Sequence, residues 1–246
     1  MPRQKPAQRD PGLLWPLLLS ALVVLAIAAG IAVQMTGGDE EETAATGTTS
    51  TGNADGLREL GETLARRDAD DPTALGETDA PVVLIAYSDY QCPFCATWVN
   101  ETQPELVERY VDSGDLRIEW REFPYKGETS RIMAVGARAA AEQDAFWEYH
   151  EAVYAAHEDL DGIAPDEARE ELAAIAADEG LDAERFTADL DDEELAAAVE
   201  ADFAEGQQVG VSGTPAFLIN GRPVIGAQPL EVFTDAIDTA LAEAEG

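Results

Sequence analysis

Pro81-Val82-Val83-Leu84-Ile85-Ala86-Tyr87-Ser88-Asp89-Tyr90-Gln91-Cys92-Pro93-Phe94-Cys95 is the stretch on which the reading of the fold turns. Its first seven residues are apolar and rich in β-branched side chains, the length and composition of a strand buried on both faces. Four turn-forming residues lead into two cysteines separated by Pro93-Phe94. Apolar positions then recur with helical period over residues 96–111, where Pro104 is expected to kink or interrupt the helix and Ser113-Gly114-Asp115 to end it. A strand, a cysteine-bearing turn and a helix follow in that order.

Residues 116–123, Leu-Arg-Ile-Glu-Trp-Arg-Glu-Phe, alternate apolar with charged side chains, the period of a strand with one wet face, and Pro124 stops it. Two strands joined by a helix form a βαβ unit whose sheet is expected to be parallel there. Upstream, residues 57–67 read as a short amphipathic helix. Downstream, residues 128–209 are acidic and helix-forming, with breaks near residues 159–165, Gly180 and Asp191, and read as an inserted helical subdomain. Strands return at Ala216-Phe217-Leu218-Ile219 and Arg222-Pro223-Val224-Ile225-Gly226, joined by an Asn220-Gly221 hairpin turn. A last helix runs from Pro229 to about Glu243, with Leu230, Val232, Phe233, Ile237 and Leu241 as its expected buried positions.

Cys92 and Cys95 are the only cysteines in the chain, which excludes a disulfide-stapled scaffold and a self-contained four-cysteine zinc site. One helical turn makes the two sulfurs neighbours within reach of a disulfide. Cys92 falls at the helix start, where unpaired N–H groups and the positive end of the dipole favour a thiolate. Cys95, one turn inside, suits a buried resolving thiol. A fixed structural disulfide, or half of a metal site shared with another chain, is the competing reading. A bridge closing so small a loop adds little stability to a large domain, and such a metal site would need outside ligands.

The motif Ser88-Asp89-Tyr90-Gln91-Cys92-Pro93-Phe94-Cys95, together with Val211-Ser212-Gly213-Thr214-Pro215 just before the returning strands, resembles the DsbA-like thiol:disulfide oxidoreductases of the thioredoxin superfamily. The resemblance covers residue 57 to the C-terminus and implies an α/β thioredoxin-like fold, a central mixed sheet flanked by helices with the helical subdomain inserted. It implies that Cys92 and Cys95 are catalytic, that Pro93 and Phe94 belong to the active-site motif, and that Thr214 and Pro215 form a cis-proline loop whose backbone pairs with an extended substrate segment. No cofactor and no metal are expected. Its expected reaction is oxidation of cysteines in exported proteins, with a quinone-linked membrane protein as reoxidising partner. A reductase or isomerase would use the same cysteines, and a non-catalytic binding module is the alternative from another class. Many family members carry a buried glutamate six residues before the first cysteine, where this chain has Ala86; Glu119 and Glu122 lie on a neighbouring strand, where they could equally be solvated.

Residues 13–35 form an uncharged apolar run long enough to cross a bilayer as a helix. Arg3, Lys5 and Arg9 precede it and Asp39 to Glu42 follow it, so residues 1–12 are expected in the cytoplasm and the rest outside. A cleaved signal peptide ending near Ala26-Ile27-Ala28 is the competing reading, and both export the domain. Residues 36–56 read as a flexible linker rich in Gly, Thr and acidic side chains, and residues 57–246 as the folded domain, with its helical insertion at about 128–209. No dimerisation stripe is evident in the linker, so a monomer is expected.

Fifty acidic against fifteen basic residues, only Lys5 and Lys126 being lysines, give a net charge of -35 over 246 residues. Such a field repels nucleic acid and would suit a high-salt environment. His150 and His157, seven apart, are expected on a similar face of one helix as packing residues rather than metal ligands. Phe146, Trp147, Tyr149 and Tyr154 are expected to pack the insertion against the core. The acidic clusters at residues 68–71 and 191–194 lack the ligand order of a calcium-binding loop.

Overall fold

The computed structural model describes residues 48–244. The expected cytoplasmic, membrane-spanning and most linker residues lie outside that range. None of the described helices is long and apolar enough to cross a membrane.

The elements are α1 (Thr48–Leu64), β1 (Ala74–Leu75), β2 (Val82–Ser88), α2 (residues 93–111), β3 (Leu116–Glu122), α3 (Glu128–Ala141), α4 (Phe146–Ala155), α5 (His157–Leu160), α6 (Pro165–Asp178), α7 (Ala183–Asp189), α8 (Glu193–Gln208), β4 (Ala216–Ile219), β5 (Arg222–Ile225) and α9 (Leu230–Ala244). The sheet order is β1-β3-β2-β4-β5. β2 and β3 run parallel, joined by α2, whereas β1–β3, β2–β4 and β4–β5 are antiparallel. This is the mixed sheet of a thioredoxin-like fold. The two-residue strand β1 escaped sequence reading because it is too short to show any period.

β2 is buried along its whole length. On one face Val82, Leu84 and Ala86 pack into the main core with Cys95, Trp98, Phe217 and Phe233. On the other, Val83, Ile85 and Tyr87 pack with Phe123 and Ala216 against Leu64 of α1 and Phe203 of α8.

α2 starts at Pro93 and continues past Pro104 without a break. Proline lacks an N–H and its ring crowds the carbonyl four residues back, so the helix widens instead of ending. The Gln103 N–H reaches back five residues to Trp98 O, and Asp112 N does the same to Val107 O at 3.0 Å.

The charged face of β3 is not wet. All seven residues of the strand are buried. Residues 61–67 and α8 cover this face, and the charges pair with each other. Glu119 accepts from the backbone N–H groups of Arg66 (2.9 Å) and Arg67 (2.8 Å), and from the guanidinium groups of Arg117 (3.0 Å) and Arg121 (2.8 Å). Arg121 also donates to Glu205 (3.0 Å) and to the α1 carbonyl of Leu64 (3.1 Å). Burial raises the Glu119 carboxyl, but the Arg66 and Arg67 N–H groups and the Arg121 guanidinium outweigh it and hold the group down at about 2. The expectation of a solvated Glu119 and Glu122 is therefore corrected for both residues.

The Asn220-Gly221 turn has φ of 44° and 80°, which suits asparagine and glycine at a tight hairpin. On α9, Phe233 and Ile237 are buried as expected, but Val232 is exposed and Ala240 takes a core position.

Candidate active site

Asp89 builds the loop that delivers the cysteines. Its carboxylate accepts from Gln91 N (2.8 Å) and Lys126 N (3.0 Å), tying the loop to the turn after β3. The Gln91 side chain donates to Leu160 O (2.7 Å) and accepts from Gly162 N (3.0 Å), and His157 Nδ1 lies 3.1 Å from Tyr90 O. Tyr90 stacks on Tyr154 at 4.7 Å, and its hydroxyl lies 3.0 Å from His150 Nδ1. The expected packing role of the insertion aromatics is thus met, while the two histidines are not on one helix: the chain breaks at Ala156 and each serves Tyr90 separately. Burial lowers His150 to about 3, so it is neutral.

Cys92 caps the helix. Its backbone is extended, its N–H donates to Asp89 O (3.0 Å), and its carbonyl accepts from Cys95 N (3.0 Å) and Ala96 N (3.1 Å). The two cysteines are not bridged to each other. Opposite them the Thr214–Pro215 peptide is cis, and Cys92 Sγ lies 3.3 Å from Thr214 O. Residues far apart in sequence, Cys92, Cys95, Thr214 and Pro215, therefore meet at one place. Phe94 is 64 % exposed beside them.

The two sulfurs differ in charge. A hydrogen bond from the Cys95 thiol, opposed by burial and supported by the Thr214 hydroxyl and the N–H groups of Cys95 and Phe94, lowers Cys92 to about 5. Burial, reinforced by the adjacent Cys92 sulfur, pushes Cys95 well above its ordinary value. One sulfur is an anion at neutral pH and the other a thiol, as exchange chemistry requires of an attacking and leaving sulfur beside a resolving one.

Residues 68–239 match the thioredoxin family model. The chain belongs to the thioredoxin family, as a DsbA-like thiol:disulfide oxidoreductase. It is 31 % identical over 154 residues to a probable disulfide bond formation protein D of Bacillus anthracis, covering 61 % of this chain and 70 % of that protein. It is also 32 % identical over 179 residues to Na(+)/H(+) antiporter NhaA 3 of Salinispora tropica, covering 72 % of this chain but only 26 % of that protein. The fold is shared with Wolbachia pipientis alpha-DsbA1, with a TM-score of 0.67, 22 % identity, and coverage of 75 % of this chain and 96 % of that one.

Two features of this oxidoreductase's site escaped sequence reading. Tyr125, 46 % exposed, lies by Cys92 and within reach of the Thr214 hydroxyl. Its only sequence signal was an aromatic residue after the strand-ending Pro124. Glu122 is fully buried at the end of β3; its place on a strand that looked half-solvated hid it. Among the described residues no group of three or more His, Cys, Asp or Glu could hold a metal ion.

Proposed function

We propose that this oxidoreductase is an oxidant of exported proteins, carried outside the cytoplasm on a single N-terminal membrane segment and acting as a monomer. A client thiolate attacks Cys92, the Cys92–Cys95 bond breaks with the electron pair passing to Cys95, and a second client thiol then displaces Cys92 from the mixed disulfide. The client leaves oxidised and the enzyme reduced. The observation that carries this direction is the contrast between an ionised Cys92 and a protonated Cys95: stabilising one thiolate stabilises the reduced enzyme and so strengthens the disulfide as an oxidant.

Further support comes from the relatives named for disulfide bond formation and from the apolar run at residues 13–35 with its basic leading flank. Thr214 and Pro215 would present an extended client beside Cys92, their backbone pairing as in strand addition. Reoxidation would fall to a quinone-linked membrane protein. The test is the equilibrium potential of the soluble domain against glutathione. A value toward about -120 mV supports an oxidant, whereas one near about -270 mV, as in thioredoxin, makes it a reductase.

A further inference from the structure

The flank of α2 that faces the insertion is hollowed along its length, beginning at the cysteine end. An upper hollow of about 510 Å³ lies between Pro93, Ala96 and Thr97 of α2 and the insertion residues Tyr154, His157 and Asp161. A lower hollow of about 490 Å³ lies between the widened part of α2, Leu75 of the edge strand and Trp147 of α4. Asn100 and Ala155 line both, so the two adjoin, and Asn100 Nδ2 donates to Tyr154 O (3.1 Å) where they meet. Pro93 and Asp112, at opposite ends of this trough, are 19 residues apart, or about 28 Å at about 1.5 Å per helical residue. Neither Thr214 nor Pro215 lines it.

The lining is acidic above and apolar below. Glu101, Glu108, Asp112, Glu151, Glu158 and Asp161 stand along the trough, all of them exposed. None of the six has an ion-pair partner among the described residues. No lysine or arginine lines either hollow. Val99, Pro104, Val107, Leu75 and Trp147 supply apolar surface in the lower one. Like charges along a cleft with apolar walls focus their field into it.

Two buried side chains in the lining have acceptor capacity to spare. Gln103 is 3 % exposed and lines the lower hollow, and its Oε1 is buried with no hydrogen-bond partner among the described residues. His157 is 8 % exposed and lines the upper hollow. Its Nδ1 faces a carbonyl, Tyr90 O, so that nitrogen carries the proton and Nε2 is the acceptor of the neutral ring. An acceptor held out of water without a donor is costly. Carboxylates, spare acceptors and apolar walls together fit an occupant that brings donors, positive charge and apolar surface. Lysine and arginine side chains bring all three, with an apolar stem under a charged donor head.

We propose that this trough docks the client segment next to the reactive cysteine and selects one that carries lysine or arginine among apolar residues. The proposal rests on the thiol-exchange reading above and names the client chemistry that the site takes. At about 3.3 Å per residue, an extended segment of about eight or nine residues spans the trough. With the client sulfur at Cys92, the segment enters over Pro93. Its basic heads meet Glu101, Glu158 and Asp161, and the lower hollow takes an apolar side chain and a donor for Gln103 Oε1. A second copy of this chain, with a net charge of -35, and an anionic membrane are both repelled by the same carboxylates.

The test follows reduction of the oxidised full-length protein by dithiol peptides of about ten residues. Each peptide has its two cysteines at one end, in either chain direction, and carries lysines or, in its counterpart, glutamates among apolar residues. Every rate is divided by that peptide's rate with 2-hydroxyethyl disulfide, which removes the charges' own effect on the peptide thiols. At low salt the lysine peptides are expected to react about tenfold faster, the lower end for electrostatic steering. The gap should close in 1 M salt, where fields reach only about 3 Å. Glu101→Gln with Glu158→Gln and Asp161→Asn should shrink the preference to about twofold. Glu167→Gln with Glu170→Gln and Glu171→Gln, exposed acids of α6 that line neither hollow, should keep it. No preference in the wild-type protein overturns the proposal, and so does equal loss in both triple variants, which assigns the effect to overall charge. Should the first triple variant fail to fold, carbodiimide coupling of a cysteine-free lysine peptide to the wild-type protein takes its place. Amide links concentrated on the trough carboxylates support the proposal, and links spread evenly over surface acids sink it. Failure of the wild-type protein to oxidise either peptide would instead remove the exchange reading, while the coupling still tests the trough.

Discussion

Cys95→Ala removes the largest single cause of the Cys92 ionisation. With its ordinary value at 9.0 and its folded value at about 5, Cys92 at pH 7 is almost wholly a thiolate where a free thiol would be mostly protonated. That shift favours the reduced protein at pH 7 by about 3 kcal/mol, or about 60 mV for a two-electron couple. A hydrogen bond to an ionised group contributes about 1.5–3 kcal/mol, so losing the Cys95 donor should raise the Cys92 midpoint by about 1–2 pH units. Iodoacetamide alkylation followed against pH reads both midpoints directly. Because the folded value is depressed, the added stability of the reduced protein is complete above the unfolded value of 9.0 and is lost as the pH falls through about 5. The oxidised protein has no such thiol, so the melting-temperature gap between the two forms should change in the reduced form's disfavour over that window. A wild-type midpoint near about 8.5, or one that Cys95→Ala leaves in place, would refute the reasoning.

Glu119→Gln strands Arg117 and Arg121 in the buried network and should cost about 3–5 kcal/mol in urea unfolding while leaving Cys92 alkylation unaltered. The wild-type contribution of Glu119, depressed to about 2, should be present above about pH 4.5 and drain away as the pH falls toward 2, which acid-unfolding curves will show. Gly61→Ala would drive a Cβ into the Asn220–Gly221 backbone, which cannot yield, so a loss of about 1–3 kcal/mol and faster hydrogen exchange in α1 are expected. Phe94→Ala should slow oxidation of an unfolded client about tenfold, the effect of about 1.4 kcal/mol of lost apolar contact, without changing reaction with a small disulfide.

What could be read from residues alone follows the strength of local signals. The apolar run of β2, the Asn220-Gly221 turn and the CxxC spacing each specify their conformation over a few residues, and each stands where expected. β3 misled because alternation reports only that its two faces differ, not what covers the charged one. Its cover comes from Arg66 and Arg67, some fifty residues upstream (|i−j| of 53 and 52), and from Asp202 and Glu205, some eighty downstream (|i−j| of 80 and 84). No window of sequence contains that pairing. Glu122 shares the parity of Leu116, Ile118 and Trp120, so a lone acid at the end of an apolar strand face gave no local sign of its burial, and at Pro104 the regular helix is interrupted by widening rather than by ending.

The overall charge of -35 would seem hostile to a thiolate. Four of the thirteen arginines, Arg66, Arg117, Arg121 and Arg138, are engaged with the carboxylates of Glu119, Asp202 and Glu205. Yet the groups that chiefly set Cys92 are the Cys95 thiol, the Thr214 hydroxyl and two backbone N–H groups, none of them a carboxylate. A charge-assisted hydrogen bond contributes about 1.5–3 kcal/mol, whereas a unit charge in water contributes about 1 kcal/mol at 4 Å and is screened within about 10 Å at 0.1 M salt. Short-range donors therefore decide the sulfur's ionisation, and the acidic exterior acts instead through a screened field on whatever charged groups approach.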